Sequence, residues 1–211
     1  VKIVSIQESG PKKRTCFITF DNGLELRISK SVVGALGLKK GFECALAEDE
    51  FLLLIADTAT RFGRKKAFDL IARRDYTVFE MRQRLERDGY DKKLTDELIA
   101  HLLRLDLLND DRYIEGFCAT RLQAGYGPHV IAQKLLQKGI KEDAVRDALV
   151  SYIEKEEFDL EESAREQIAK YDLSDHKESQ RAFRKLVARG FNYGLARNVI
   201  SGTRDVSSLV T

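Results

Sequence analysis

The chain lacks long apolar runs: none approaches the roughly 18 to 20 residues that a membrane-spanning helix needs, and the most apolar short stretch, residues 51–56, is strand-sized. Paired cysteines are missing as well. Cys16, Cys44 and Cys118 stand far apart without CxxC spacing, an odd set that reads as small core hydrophobes in a reducing compartment rather than as disulfides. No basic-then-apolar leader precedes the body of the chain, so a cytoplasmic protein is expected, and a first residue of Val predicts a processed or trimmed end. Net charge is scarce: 36 basic against 34 acidic residues leave +2, too little for whole-molecule steering of a polyanion. Residues 61–108 lean basic most clearly, 12 against 9. Catalytic signatures are absent too. There is no GxSxG elbow, no Walker loop and no HExxH, and His101, His129 and His176 are isolated from one another and from the cysteines. No enzyme activity, metal or cofactor is expected.

What is present is enough apolar material for a globular fold, 43% of 211 residues. The first 58 residues read as a small β-rich module. Residues 15–20 and 24–28 alternate apolar with polar around Asp21-Asn22-Gly23, and Asn-Gly supplies the positive φ of a tight hairpin turn. Residues 1–6 give a further strand, Ser29 or Ser31 caps a short helix through Leu36, and Gly37 ends it. Residues 51–55 fit either a last strand or the first turn of a helix. From about Ala59 the apolar period becomes 3.6, with no Pro- or Ser-rich linker, so a continuous or nearly continuous helix is expected to join the modules.

Helix punctuation dominates the remainder. Thr77 and Glu80 fit a capping box, in which the hydroxyl accepts from the third helical N–H and the carboxylate accepts from the cap N–H. Asn109 and Asp110 read as a cap before Tyr113, Ile114, Phe117 and Cys118; capping also explains Asp110-Asp111 more cheaply than a metal or general-base pair. Gly125 and Gly127 stop that helix and Pro128 opens the next, since the N–H it lacks would have been unpaired there. Three stretches share a basic residue, Leu and, further on, Gly followed by an apolar residue: residues 84–90, 134–140 and 185–191. Their glycines, Gly89, Gly139 and Gly190, lie 50 and then 51 residues apart. Self-similarity at this period predicts a mainly α protein, an elongated tandem array of three three-helix repeats behind the β-rich module. The expected boundaries are 1–58 for the β-rich module, then 59–108, 109–157 and 158–202 for the repeats, with 203–211 a frayed tail.

Basic residues recur on the middle helix of each repeat, largely off the apolar stripe: Arg82, Arg84 and Arg87; Lys134 and Lys138; Arg181, Arg184, Lys185 and Arg189. They could line a discontinuous basic track, although charges on helix faces usually serve solubility. Arg74-Asp75-Tyr76-Thr77 leading to Glu80 and Leu85, residues 107–113 (LLNDDRY), and Gly125-Tyr126-Gly127-Pro128 followed by Ile131, Leu135 and Lys138-Gly139-Ile140 together resemble the RecX family of bacterial recombination regulators. The resemblance covers residues 67–202, its central motif being the most specific part, and the β-rich segment looks like the extension of longer members. Asn109 stands where the family often has an acidic residue, and it caps equally well.

The resemblance implies a noncatalytic modulator in DNA repair, recombination and the SOS response. Such a protein binds RecA, lodges in the groove of its filament on single- or double-stranded DNA, and restrains ATPase, strand-exchange and coprotease activities. Arg73, Arg74, Arg82, Arg84, Arg112, Arg121, Lys134 and Lys138 are the candidate contacts to RecA or DNA. Thr77, Glu80, Asp110, Gly127, Pro128 and Gly139 are read as setting the geometry of the array. A monomer with no membrane contact is expected. The alternative is a helix-turn-helix protein that reads DNA without RecA, since Gly89 and Gly139 each sit in a tight turn between helices.

Overall fold

The computed structural model describes residues 1–202, and the tail expected to fray lies outside them. The Asn22-Gly23 turn forms as its residues dictate, with Gly23 at φ 85°. It joins β2 (Thr15–Phe20) to β3 (Glu25–Ser29) with Phe17 opposite Arg27, and β1 (Ile3–Ser9) pairs with the other edge of β2, giving a three-stranded antiparallel sheet in the order β1-β2-β3. The two-residue period turns Ile18 and Phe20 into the core and leaves Phe17 outside. Ser29 closes β3 and caps α1 (Lys30–Ala35), its hydroxyl accepting from the Ser31 N–H. Glu43 makes only an isolated bridge with Lys2, so the apolar stretch at 42–46 is no strand.

Residues 51–55 prove helical. They belong to α2 (Glu48–Ile71), a helix of 24 residues whose first turn carries Glu48, Asp49 and Glu50, all favoured by the dipole there. The Glu50 carboxylate also accepts from the Ala47 N–H at 3.2 Å. Phe51 and Ile55 pack with Ile3, Ile18, Phe20 and Val32, while Ala67 and Leu70 pack with Met81, Leu85, Leu98 and Leu102; Ala59 touches both clusters. One helix therefore serves two cores, and the change of period near Ala59 falls in its middle.

α3 (Val78–Arg87) and α4 (Lys92–Arg104) complete the first bundle. The capping box is present in both directions: the Glu80 N–H donates to Thr77 Oγ1 at 3.1 Å, and the Thr77 N–H donates to Glu80 Oε2 at 3.3 Å. Asp91 caps α4 through the Leu94 N–H. The chain divides into two compact units between Asn109 and Asp110. In the second unit α5 (Asp110–Gln123), α6 (Pro128–Gln137), α7 (Glu142–Lys155), α8 (Leu160–Ile168), α9 (His176–Arg189) and α10 (Tyr193–Ser201) form two further bundles. They share one core, running from Ile114 and Cys118 through Leu135 and Ala164 to Leu186 and Val199. Burial pushes the Cys118 thiol up to about 11, which fits a packing role better than a reactive one. The protein is thus mainly α-helical, with tandem bundles behind a β module.

Two middle helices end on glycines that press against neighbouring backbone. Gly89 (φ 95°) follows α3, and a Cβ there would lie 2.9 Å from the Ile28 carbonyl oxygen and the Ser29 backbone. Gly190 (φ 93°) follows α9, and a Cβ there would lie 2.5 Å from the Val130 nitrogen; one on Gly127 would lie 2.3 Å from the Gly190 carbonyl carbon. At that second site the Gly127 N–H donates to the Arg189 carbonyl at 2.8 Å and the His129 N–H to the Gly190 carbonyl at 3.1 Å. The unpaired donors that open α6 are thereby satisfied by the unpaired acceptors that close α9, with Pro128 between them contributing no N–H.

The β module is fastened to α3 beside Gly89. Asp88, its side chain only 7% exposed, lies 3.0 Å from Arg14, 3.4 Å from Lys66 on α2 and 3.5 Å from Arg84 Nε. Thr15 Oγ1 donates to the Arg87 carbonyl and Arg27 to the Glu86 carbonyl, so residues from β2 and β3 satisfy acceptors at the helix end.

Gly190→Ala is expected to lower unfolding stability by roughly 3 kcal/mol, combining left-handed strain with a backbone clash, whereas Gly23→Ala, with open space around it, costs about 1 kcal/mol. Asp88→Ala removes the common partner of three cations and should cost about 2 kcal/mol, less than a fully buried pair because those cations are partly solvated. Urea midpoints of the variants against the parent protein check all three values.

Candidate functional site

The basic residues singled out from the sequence fall into two electrostatic groups. In the first unit most are held by carboxylates. Arg74 pairs with Glu80 at 3.1 Å, which anchors it to the capping box, and its guanidinium carbon lies 3.7 Å from the centre of the Tyr76 ring. Arg82 pairs with Asp96, Arg84 belongs to the Asp88 cluster, and Arg73 is exposed in the turn after α2.

In the second unit Arg146 and Arg165 pair with Asp147 and Glu161, but several of the basic residues singled out are held differently. Tyr126, in the break between α5 and α6, is half-buried, and three cations surround its ring: Lys134 at 4.9 Å, Arg189 at 5.2 Å and Arg121 at 5.7 Å from the centroid. Arg121 also lies 5.2 Å from the Phe117 ring, and Lys138 5.3 Å from that of Tyr113. Arg189 is fixed further by donating to the Ala124 and Gly125 carbonyls at 3.0 and 3.1 Å. Arg112 is exposed on α5. On the adjoining surface, Lys185 and Lys170 lie 5.5 and 5.7 Å from the Tyr171 ring, and Lys185 donates to the Gln167 carbonyl.

The distinction matters because a carboxylate cancels a cation, whereas an aromatic ring positions it through its quadrupole and leaves the net charge in place. Arg121, Lys134, Lys170, Lys185 and Arg189 make no ion pair among the described residues. The Lys185 ammonium titrates below the usual lysine range, first because burial desolvates it and then because Lys170 and Arg189 repel it. The repeat pattern shows the origin of the difference. Five residues before the repeat glycine stand Arg84, Lys134 and Lys185; immediately before it stand Asp88, Lys138 and Arg189. In the first repeat these two positions, one helical turn apart, form an ion pair. In the other two they carry like charges.

Sequence reasoning named Arg121 and Lys134, placed Lys185 and Arg189 only on the general basic track, and omitted Lys170 and both tyrosines. The available signal was Tyr126 within Gly-Tyr-Gly-Pro, an aromatic between two glycines where a turn alone would need none. Among the described residues no His, Cys, Asp and Glu side chains gather in a group able to hold a metal, and no helix is long and apolar enough to cross a membrane. The geometry suits noncovalent capture of anionic groups.

Comparison with known proteins places these bundles in a family. Residues 64–102 match the family model described as the first three-helix domain of RecX, and residues 109–149 match the second. A "Regulatory protein RecX" of Ectopseudomonas mendocina is 31% identical over 143 residues, 66% of this chain and 93% of that protein. One from Streptococcus uberis is 27% identical over 203 residues, 93% of this chain and 76% of that protein. The crystal structure of a regulatory protein RecX shares the fold with a TM-score of 0.60 at 20% identity, covering 95% of this chain and 98% of the other. With helical bundles, β-rich N-terminal region and sequence in agreement, the chain belongs to the RecX family of regulatory proteins.

Proposed function

We propose that this protein is a modulator of RecA that binds the RecA–DNA filament, along its groove, and inhibits RecA ATPase, strand-exchange and coprotease activities. It acts without catalysis or cofactor, as a cytoplasmic monomer in DNA repair and the SOS response. The observation that carries this reading is the set of cations in the second unit that no carboxylate neutralises, in a chain of this family. The filament is a repeating polyanionic target, and a chain divided into repeats (59–108, 109–157 and 158–202) after a β-rich module (1–58) can meet several filament positions at once. Modest contacts then add through effective concentration.

Arg121 and Lys134 are the foremost contacts, with Arg112, Lys138 and Arg73 beside them. Arg74, Arg82 and Arg84 contribute less, because acidic neighbours already hold them. Asp110, Gly127, Pro128, Gly139, Thr77 and Glu80 serve the array's geometry in this reading. A second reading, a helix-turn-helix protein that reads DNA without RecA, is favoured by the left-handed Gly89 and Gly139 in tight turns between helices. It requires a sequence preference that survives in the absence of RecA.

Added at stoichiometric levels, the protein should slow DNA-dependent ATP hydrolysis by RecA, and the absence of any slowing would refute the reading. Arg121→Glu combined with Lys134→Glu should relieve most of the inhibition while the melting temperature stays within a few degrees of the parent's. Arg84→Glu should instead lower the melting temperature, since it sets a second carboxylate beside Asp88.

A further inference from the structure

In the first repeat Arg74, Arg82 and Arg84 lie against carboxylates, whereas in the second and third Arg121, Lys134, Lys170, Lys185 and Arg189 lie against aromatic rings. Lys185 and Arg189 stand four residues apart on one helix, a like-charge spacing that destabilises an isolated helix by a few tenths of a kcal/mol. The neighbouring Lys170 adds to the repulsion. Lys185 and Arg189 are nonetheless pinned, the first by the Gln167 carbonyl and the second by the Ala124 and Gly125 carbonyls, and Arg189 shares one ring with Arg121 and Lys134. Solubility alone requires neither convergence nor pinning. A site that receives negative charge from outside requires both.

We propose that Arg121, Lys134 and Arg189 around Tyr126, continued by Lys185 and Lys170 at Tyr171, form a track for the phosphodiester backbone of a single nucleic-acid strand. This deepens the proposed function by assigning the contact to DNA rather than to an acidic face of RecA. The chemistry favours the strand on two counts. Phosphates recur at regular spacing and demand several cations in succession, whereas a protein carboxylate pairs with one or two. Aromatic side chains interleaved with cations are also the composition of surfaces that follow single strands without reading sequence. The Gly127–Gly190 junction joins the two bundles within the second unit, so the third bundle's Arg189 completes the ring of cations around the second bundle's Tyr126.

The test uses the full chain without RecA and a fluorescein-labelled oligothymidylate, with binding followed by anisotropy across a salt series. The parent protein should bind, with log K falling linearly against log salt at about 0.7 per phosphate engaged. Arg121→Ala with Lys134→Ala should weaken binding about tenfold and reduce that slope by about 1.4, and Lys170→Ala should reduce it by about 0.7. Arg82→Ala, whose partner is Asp96, should leave the slope unchanged. Unaltered anisotropy curves for the double variant would overturn the track. So would a double variant that loses affinity for DNA-free RecA while binding the oligonucleotide normally, since the site would then belong to a protein surface. Parallel ATPase measurements separate the two proposals: strand binding lost in the double variant, alongside a parent protein that never slows RecA, upholds the track and rejects RecA inhibition.

Discussion

Backbone-to-backbone contact at a side-chain-free helix end is the constraint on which the arrangement within each unit depends. Where α3 and α9 stop, the chain turns left-handed and lies against a neighbouring segment so closely that a single methyl group could not be inserted. At Gly190 this contact is also electrostatic. The negative end of α9 supplies carbonyls to the positive end of α6, two sets of unpaired groups that would otherwise need water. At Gly89 the partner is the β3–α1 junction, and side chains from the sheet take up the acceptors of α3.

A contact this tight fixes the residue just before the glycine as firmly as the glycine itself. In the first repeat that residue is Asp88, which draws Arg14, Lys66 and Arg84 inward and serves stability. In the third it is Arg189, which lies against Tyr126 and leaves its charge available. One position of the repeat thus supports cohesion in one bundle and proposed anion capture in another, through a change of sign alone.

Much of this was legible in the sequence, because it is encoded locally. The Asn22-Gly23 hairpin, the Thr77–Glu80 capping box, Pro128 at a helix start and the equally spaced glycines all depend on residues within a few positions of one another. Residues 51–55 were ambiguous because a short apolar run fits either period, and the three acidic residues before them, which decide for helix, are equally at home in a turn. The full surroundings of each cation were not legible. Arg84 and Asp88 stand four residues apart, a local pair, but nothing local shows that Arg14 and Lys66, distant in sequence, share the same carboxylate. Tyr126 looked like part of a turn until residues from three helices met around it.

The helix that links sheet and bundle carries a further consequence. α2 contributes Phe51 and Ile55 to one core and Ala67 and Leu70 to another, and at Ala59 it has no break. The two cores of the first unit therefore share a mechanical member, and opening either one strips apolar contacts from the same rod that supports the other. Residues 1–109 should exchange their amide protons and succumb to proteolysis as one cooperative block, so the β module is less an appendage than half of a common foldon.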